Sequence, residues 1–519
     1  MERLGAYLER SVRKIMPDPF VLAILLTFVT LVAAVAHYGS PVELISGWKA
    51  YIFGPKKADG SVQQGFLYFA FQMVLMLVTG HALASSPPFS RLISKMAALP
   101  SSPRGATLMV GLISATLGFL HWGLGLVGGA LLAREVGRAA REKNISVHYP
   151  LLGAAGYLGL LTWGGGFSGS IPLKAQVYKL ADGPLVPGSG FPGIPLSETL
   201  FSTTNLIITG SLILVAPFLC ALMIPEKEAE RVPFKDEGYV ERAAEEHNWG
   251  KKCLWAVLLG FGAGLFVLGR SEASLGLGAT IFAALLSGLS FGALAHALWD
   301  PRAADEAPEE DRPFASSLER SRLLGWLLTS LGFGALFLEV YGGGFALSFN
   351  NMNFTFLFLG IALHGNLGRY VRALGEAVQG ASGIVLQFPF YFGILGLLVV
   401  SGLGASFAAQ IGALSTETTY PIFTFLSAGL VNLFVPSGGG QWVVQGDIVI
   451  QGALEHGTHM LPKSILALAY GDEWTNMLQP FWALPLLAIT GLRARDVMGY
   501  TAAVLLVCGA MTMSWLLIL

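Results

Sequence analysis

The stretch NLFVPSGGGQWVVQGDIVI, Asn432 to Ile450, sets a proline, three consecutive glycines, two glutamines, a serine and an aspartate inside a long apolar run. At membrane depth such residues suit one task, the holding of a small anion. Pro436 ends a helical limb, because it has no N–H and its ring clashes with a helical turn. Ser437, Gly438, Gly439 and Gly440 then offer a tip with unrestricted dihedrals and no side chains over the amides. A second limb starting near Gln441 would aim its N–H groups and positive dipole end into that tip, where a carboxylate can bind. Unpaired backbone in lipid costs several kcal/mol, so irregular chain survives there only where protein covers it or water lines it. Helix packing accounts for most of the 65 glycines. It does not account for Ser437, Gln441 and Gln445 around this tip.

A second polar cluster, Asp472, Glu473, Thr475 and Asn476, interrupts another apolar run. Ionisable residues within spans are costly and by default mark ion or proton pathways. Hydroxyl, amide and unwound carbonyl oxygens suit a hard cation such as Na+, and a carboxylate can carry a proton instead. Asp472, Thr475 and Asn476 are therefore the candidate coupling residues, with Na+ or H+ as the ion. The structural alternative is that Asp472 caps a half-helix beginning there. His456 and His459, after Glu455, lack the HExxH order of a zinc hydrolase and read as solvated loop residues. Ser168 and Ser170 in GGGFSGS resemble a nucleophile elbow only superficially, since no strand precedes them and no base is placed nearby. Cys220, Cys253 and Cys508 lack the paired spacing of a metal site or disulfide framework. Neither an enzyme activity nor a cofactor is expected.

Composition defines what positions these residues. The 519-residue chain is 53% hydrophobic and 13% charged, against about 25% charged in soluble domains, which makes it an integral membrane protein. Its net charge of −1, without a long basic or acidic block, gives no sign of nucleic acid as a partner, and none is expected. Apolar runs that can cross a hydrocarbon core are 18–37, 65–84, 150–172, 203–224, 253–270, 275–298, 323–341, 354–365 with its lead-in, 380–402, 463–489 and 496–518. Met1 to Met16 is a short basic amphipathic lead, and the run after it is a retained first span rather than a signal peptide. Lysine and arginine in loops 85–104, 225–252, 299–322, 366–379 and 490–496 place these loops and the N-terminus in the cytoplasm. Loop 38–64 fits less well, lying outside with Lys49, Lys56 and Lys57. Segments 105–134 and 414–455 then enter and leave on one face each, from opposite sides, as re-entrant hairpins. Each is followed by a broken span, YLGLLTWGGGFSGSIPL (Tyr157 to Leu173) or AYGDEWTNMLQPFWALPL (Ala469 to Leu486). Two inverted copies of a hairpin plus a discontinuous helix are the pattern of a secondary transporter. The expected fold is an all-α membrane protein of about eleven transmembrane helices plus two re-entrant hairpins in inverted repeats. Its parts are an N-terminal half (1–224), charged cytoplasmic loops and connecting helices (225–379) and a C-terminal half (380–519).

MPDPF (Met16 to Phe20), VTGHALASS (Val78 to Ser86), LLAREV (Leu131 to Val136), LTWGGGFSGSIPL (Leu161 to Leu173), LQFPFY (Leu386 to Tyr391), VPSGGGQWVVQG (Val435 to Gly446), QPFWALP (Gln479 to Pro485) and RDVMGY (Arg495 to Tyr500) resemble, end to end and in order, the bacterial short-chain fatty acid transporter family. The resemblance implies an elevator-type carrier of the ion-transporter superfamily, in the cytoplasmic membrane, for small monocarboxylates such as acetoacetate and butyrate. It places the glycine hairpin on Ser437 to Gln441 and the broken helix on Trp474 to Gln479. Candidate substrate-binding residues are Ser437, Gly438, Gly439, Gly440 and Gln441 at the second hairpin, with His121, Trp122, Gly123 and Ser168 at the first. Two departures from the family pattern are His121, where asparagine is usual, and Asp447, where proline is usual. The rival substrates are dicarboxylates or gluconate; a second carboxylate usually wants an Arg or Lys, and the absence of one at the tips favours a monoanion. A membrane hydrolase and a channel are the rivals from other classes. The expected partners are a small carboxylate and the lipid bilayer, and a homodimer is compatible with this reading.

Overall fold

The computed structural model describes residues 1–15, 17–53, 66–178, 193–234, 251–268, 284, 287–288, 313–341, 349–379 and 381–519. Among these residues every regular element is helical. Lys56 and Lys57, loop positions 235–250 and 299–312, and nearly all of the expected span 275–298 lie outside them.

Among the described residues five helices are long and apolar enough to cross a membrane: Pro19–Tyr38, Pro103–Leu120, Thr203–Leu222, Arg322–Tyr341 and Ala494–Ile518. Local chemistry sets their ends. Asp18 accepts from Phe20 N–H at 2.9 Å ahead of Pro19, and Gly39 closes the helix at φ 87°, a conformation glycine adopts without a β-carbon penalty. Ser102 likewise caps Pro103–Leu120 through Gly105 N–H. Two stretches expected as plain loops contain helices: Pro41–Phe53 lies within 38–64, and Leu403–Ala413 fills most of 402–413. Both are apolar and uninterrupted by proline once begun, so nothing in them stops a helix.

The chain forms two compact units. One comprises residues 1–71, 94–237 and 382–519, and holds both hairpins and both broken helices. The first hairpin has limbs Pro103–Leu120 and Trp122–Glu142, and the following helix breaks between Tyr149–Gly156 and Ser170–Gln176. The second has limbs Tyr420–Asn432 and Gly438–His456, followed by Leu461–Thr475 and Pro480–Thr490. Small residues let these backbones touch. A β-carbon at Gly118 would fall 2.1 Å from the Gly159 carbonyl oxygen, and one at Gly129 would fall 2.2 Å from that of Gly156. Ser114 Oγ donates to Gly156 O at 2.7 Å and accepts from Gly159 N–H at 3.0 Å. A β-carbon at Gly471 would meet Phe425 O at 2.3 Å, so the second hairpin is seated as closely on its own broken helix. The basic lead is a helix, Glu2–Ile15, along Ala494–Ile518, where a β-carbon at Gly499 would lie 2.2 Å from Glu9 Cα.

The other unit comprises residues 72–93 and 238–381. Its core joins Phe333 and Leu336 to Phe358, Ile361 and Tyr370. Polar contacts tie it together, among them Gln72 Nε2 to Asn350 Oδ1 at 2.5 Å and the His364 ring to Ala82 O at 2.7 Å.

Candidate functional site

The first tip is a single residue. His121 leaves the helix with φ −163° and ψ 130°, and its Nδ1 accepts Gly123 N–H at 3.1 Å, so it is the N-cap of the second limb. Trp122 N–H donates to Ser168 Oγ at 3.0 Å and Phe167 N–H to Phe119 O at 2.9 Å. His121, Trp122, Gly123 and Ser168 are thereby one group, the first tip docked onto the first break. The Trp122 ring meets Trp482 edge-on at 5.5 Å. A cap asks only for an acceptor, and asparagine is as good a cap as any residue. His121→Asn is therefore expected to keep uptake and its pH profile, while His121→Leu destabilises the tip by about 1 kcal/mol. Uptake against pH and thermal unfolding of both variants check this.

The second tip differs from the sequence expectation. Its second limb begins at Gly438 rather than near Gln441, and Ser437 is the cap, with Oγ accepting Gly440 N–H at 3.3 Å. None of the three glycines has a positive φ, so unrestricted dihedrals are not what they supply. They supply close approach: a β-carbon at Gly438 would fall 2.5 Å from Ser170 Oγ and 3.1 Å from both Asp472 Oδ2 and Trp163. Gln441 turns inward, donating to Ala428 O at 2.8 Å and Gln445 Oε1 at 2.9 Å. Among the described residues Ser170 Oγ, which is buried, has no hydrogen-bond partner.

Ser168 and Ser170, two residues apart, thus face different tips, and the first break lies against both.

The second break holds the candidate coupling residues. Asp472 does not cap a half-helix: it lies in the last turn of Leu461–Thr475, and the next half starts at Pro480 with Gln479 ahead of it. At the break Asn476 N–H turns to the carbonyls of Glu473 and Trp474, which leaves the Asp472 carbonyl without its usual helical donor. Asn432, closing the first limb of the second hairpin, supplies one: its Nδ2 lies 2.5 Å from Asp472 O, 3.0 Å from Thr475 Oγ1 and 3.0 Å from Asn476 Oδ1. Tyr157 OH bridges to the carbonyls of Asn476 and Gln479 at 3.0 Å each, which joins the two breaks.

Sequence reasoning missed Asn432, Ser170, Trp163 and Lys174. Asn432 and Ser170 had a visible signal, a polar residue inside an apolar limb or break. Lys174 overturns the expectation that no cation stands at the tips: its Nζ donates to Gly439 O at 3.1 Å. Asp447 is exposed and accepts from Tyr178 OH at 2.7 Å. Burial and the bond to Asp447 push that phenol up to about 12. His459 pairs with Glu417 at 3.0 Å on the surface. Among the described residues no group of three or more His, Cys, Asp or Glu could hold a metal.

Apolar helices long enough to span a bilayer, with irregular backbone buried between hairpin tips, define a multi-pass membrane transport protein. The chain belongs to the short-chain fatty acid transporter family, whose model matches residues 1–252 and 299–519; its members are transporters of the bacterial inner membrane rather than enzymes. A relative from Escherichia coli (strain K12) is 35% identical over 98% of this chain and 97% of its own length, and one from Haemophilus influenzae (strain ATCC 51907 / DSM 11121 / KW20 / Rd) is 34% identical over the same shares. Both bear the name of a short-chain fatty acid transporter. The crystal structure of the Alcanivorax borkumensis YdaH transporter aligns over 97% of each chain at 14% identity and a TM-score of 0.40.

Proposed function

We propose that the protein is a secondary active carrier that moves a short-chain monocarboxylate, such as acetoacetate or butyrate, together with a cation. The observation that carries this reading is the seating of the first break between two hydroxyl- and amide-rich tips, with Ser168 on Trp122 N–H and Ser170 against Gly438. The substrate carboxylate is held by the amides at the start of Gly438–His456, where N–H groups precede the first intrahelical bond. Ser170 and Lys174 stand beside them, and His121, Trp122, Gly123 and Ser168 complete the site from the first tip. The coupled cation belongs to the second break, with Asp472, Thr475 and Asn476.

In this reading about eleven spans and two re-entrant hairpins form inverted repeats, the N-terminus is cytoplasmic, and the hairpins with their broken helices move as an elevator against the remaining helices.

Lys174 is the specific observation that keeps a dicarboxylate or gluconate in play, because an ammonium at the tip can serve a second carboxylate as well as a first. Uptake of labelled butyrate into proteoliposomes, with acetoacetate, succinate and gluconate as competitors, tests the reading. Competition by succinate or gluconate alone would replace the monocarboxylate as substrate. Lys174→Met is expected to raise KM about tenfold, equivalent to about 1.4 kcal/mol, with little change in maximal rate. An unchanged KM would remove Lys174 from the site.

A further inference from the structure

The helix Glu2–Ile15 sorts its charges by face. At about 100° per residue, Arg3, Tyr7, Arg10 and Lys14 (i, i+4, i+7, i+11) fall within an arc of about 60°. All four are exposed, Tyr7 by 68%. Glu2 and Glu9 lie outside that arc, on the side that meets the rest of the protein: Glu2 Oε1 accepts Glu226 N–H at 3.0 Å, and a β-carbon at Gly499 would lie 2.2 Å from Glu9 Cα. Leu4, Leu8 and Val12 form a separate stripe and are partly buried. The acids are thus used within the chain and the bases point out of it. Among the described residues Arg3, Arg10 and Lys14 have no ion pair.

The packing also fixes the depth of this helix. A β-carbon at Gly5 would meet Met223 Sδ at 3.0 Å. Met223 closes the span Thr203–Leu222, and Gly499 stands near the start of the span Ala494–Ile518. The helix therefore lies across the adjoining ends of two spans, the level at which a bilayer presents its headgroups. A helix with a basic face and a separate apolar face lies in that plane, and tyrosine is enriched there. Guanidinium and ammonium groups without a carboxylate partner in the chain complement phosphate. A protein partner would have to bring an acidic surface to this depth, whereas anionic headgroups are already in place.

We propose that Arg3, Arg10 and Lys14 bind the headgroups of anionic phospholipids, with Tyr7 among them, and that Glu2–Ile15 thereby fixes the adjoining ends of Thr203–Leu222 and Ala494–Ile518 at the membrane surface. Each lysine or arginine close to an anionic bilayer strengthens binding about fivefold. Three on one stripe therefore select an anionic lipid such as phosphatidylglycerol over zwitterionic phosphatidylcholine. Because the attraction acts at an exposed surface, salt screens it. The inference is independent of which substrate or ion the protein carries.

The test places the photo-cross-linker p-benzoylphenylalanine at Tyr7 of the full chain, in nanodiscs holding equal amounts of phosphatidylglycerol and phosphatidylcholine. After irradiation, the lipids joined to the protein are identified by mass. The expected result is at least about five phosphatidylglycerol adducts for each phosphatidylcholine adduct. Raising the salt from about 0.1 to about 1 M, which shortens the screening length from about 10 to about 3 Å, should lower that ratio at least twofold. Both readings are made without altering the three basic residues, so they do not depend on a variant folding. Replacing Arg3, Arg10 and Lys14 together by glutamine should bring the ratio to within about twofold of unity, whereas Arg3→Lys with Arg10→Lys should keep it, because the charge is retained. Equal labelling of the two lipids by the chain with its three bases intact would overturn the proposal. So would a ratio unchanged in the glutamine variant. Irradiation in native membranes that joins Tyr7 to another protein and to no lipid would replace the lipid surface with a protein partner.

Discussion

Gly438→Val abolishes butyrate uptake, lowering it by about 100-fold or more, while Gly439→Ala retains most of it. The two glycines are adjacent but face different surroundings. At Gly438 a β-carbon meets Ser170 Oγ at 2.5 Å, with Asp472 Oδ2 and Trp163 at 3.1 Å. Ser170, Asp472 and Trp163 are each more than nine-tenths buried, and close-packed interiors do not yield cheaply. Overpacking of this kind costs about 1–3 kcal/mol, and here it acts directly on the amides proposed to hold the carboxylate. At Gly439 the nearest atom is Lys174 Nζ at 3.2 Å, the end of a flexible chain that can turn aside. Uptake rates normalised to the amount of protein in the membrane check both. Wild-type uptake by Gly438→Val would remove the second tip from the site.

Asn432→Leu is expected to lose about 2–4 kcal/mol of stability and all uptake. Leucine fills a similar volume but donates nothing, so Asp472 O, Thr475 Oγ1 and Asn476 Oδ1 lose the one amide that serves all three. Hydrogen bonds between membrane helices are worth about 0.6 to 2 kcal/mol each, and stranding a buried acceptor costs about 1–3 kcal/mol. The larger effect falls on geometry. Asn432 ends one limb of the second hairpin and Gln479 Nε2 donates to its carbonyl, so the hairpin and the second break are joined on both sides of this residue. Thermal unfolding of the purified variant measures the stability loss, and uptake measures the function. A variant that unfolds at the wild-type temperature would show that Asn432 does not hold the break.

Particular residues show how far the sequence could be read. Pro436, Ser437 and the glycine run marked a turn between two helical limbs, and the chain turns there between Tyr420–Asn432 and Gly438–His456. TWGGGFSGS and DEWTNMLQP marked breaks, and both helices are interrupted at those places. Each signal is local: a missing N–H, a missing β-carbon or a costly charge constrains the chain wherever it folds. The start of the second limb was misplaced by three residues because serine followed by glycines reads equally as a loop or as a capped helix start. Asp472 precedes a break and so reads from sequence either as a cap or as a coupling residue, and the helix carries on past it to Thr475, which removes the cap.

Membership of the membrane class followed from composition alone, since a chain 53% hydrophobic and 13% charged cannot keep its apolar surface out of water as a soluble protein. Helical spans followed as well, because apolar runs of about 20 residues are the length of a spanning helix, which satisfies its own backbone in lipid, and not of a barrel strand. Tertiary structure alone decided which side chains meet. Ser170 against Gly438, Glu473 on Gly164, Lys174 on Gly439 and Asn432 across the second break each join residues 40 to 309 positions apart. The nearness of such residues is set by how the hairpins close on the broken helices, through contacts between glycine backbones that leave no periodic trace in the sequence. Hydropathy records how much of a helix faces lipid. It does not record which carbonyl a lysine reaches, because that depends on packing distances of a few ångströms between segments far apart in the chain.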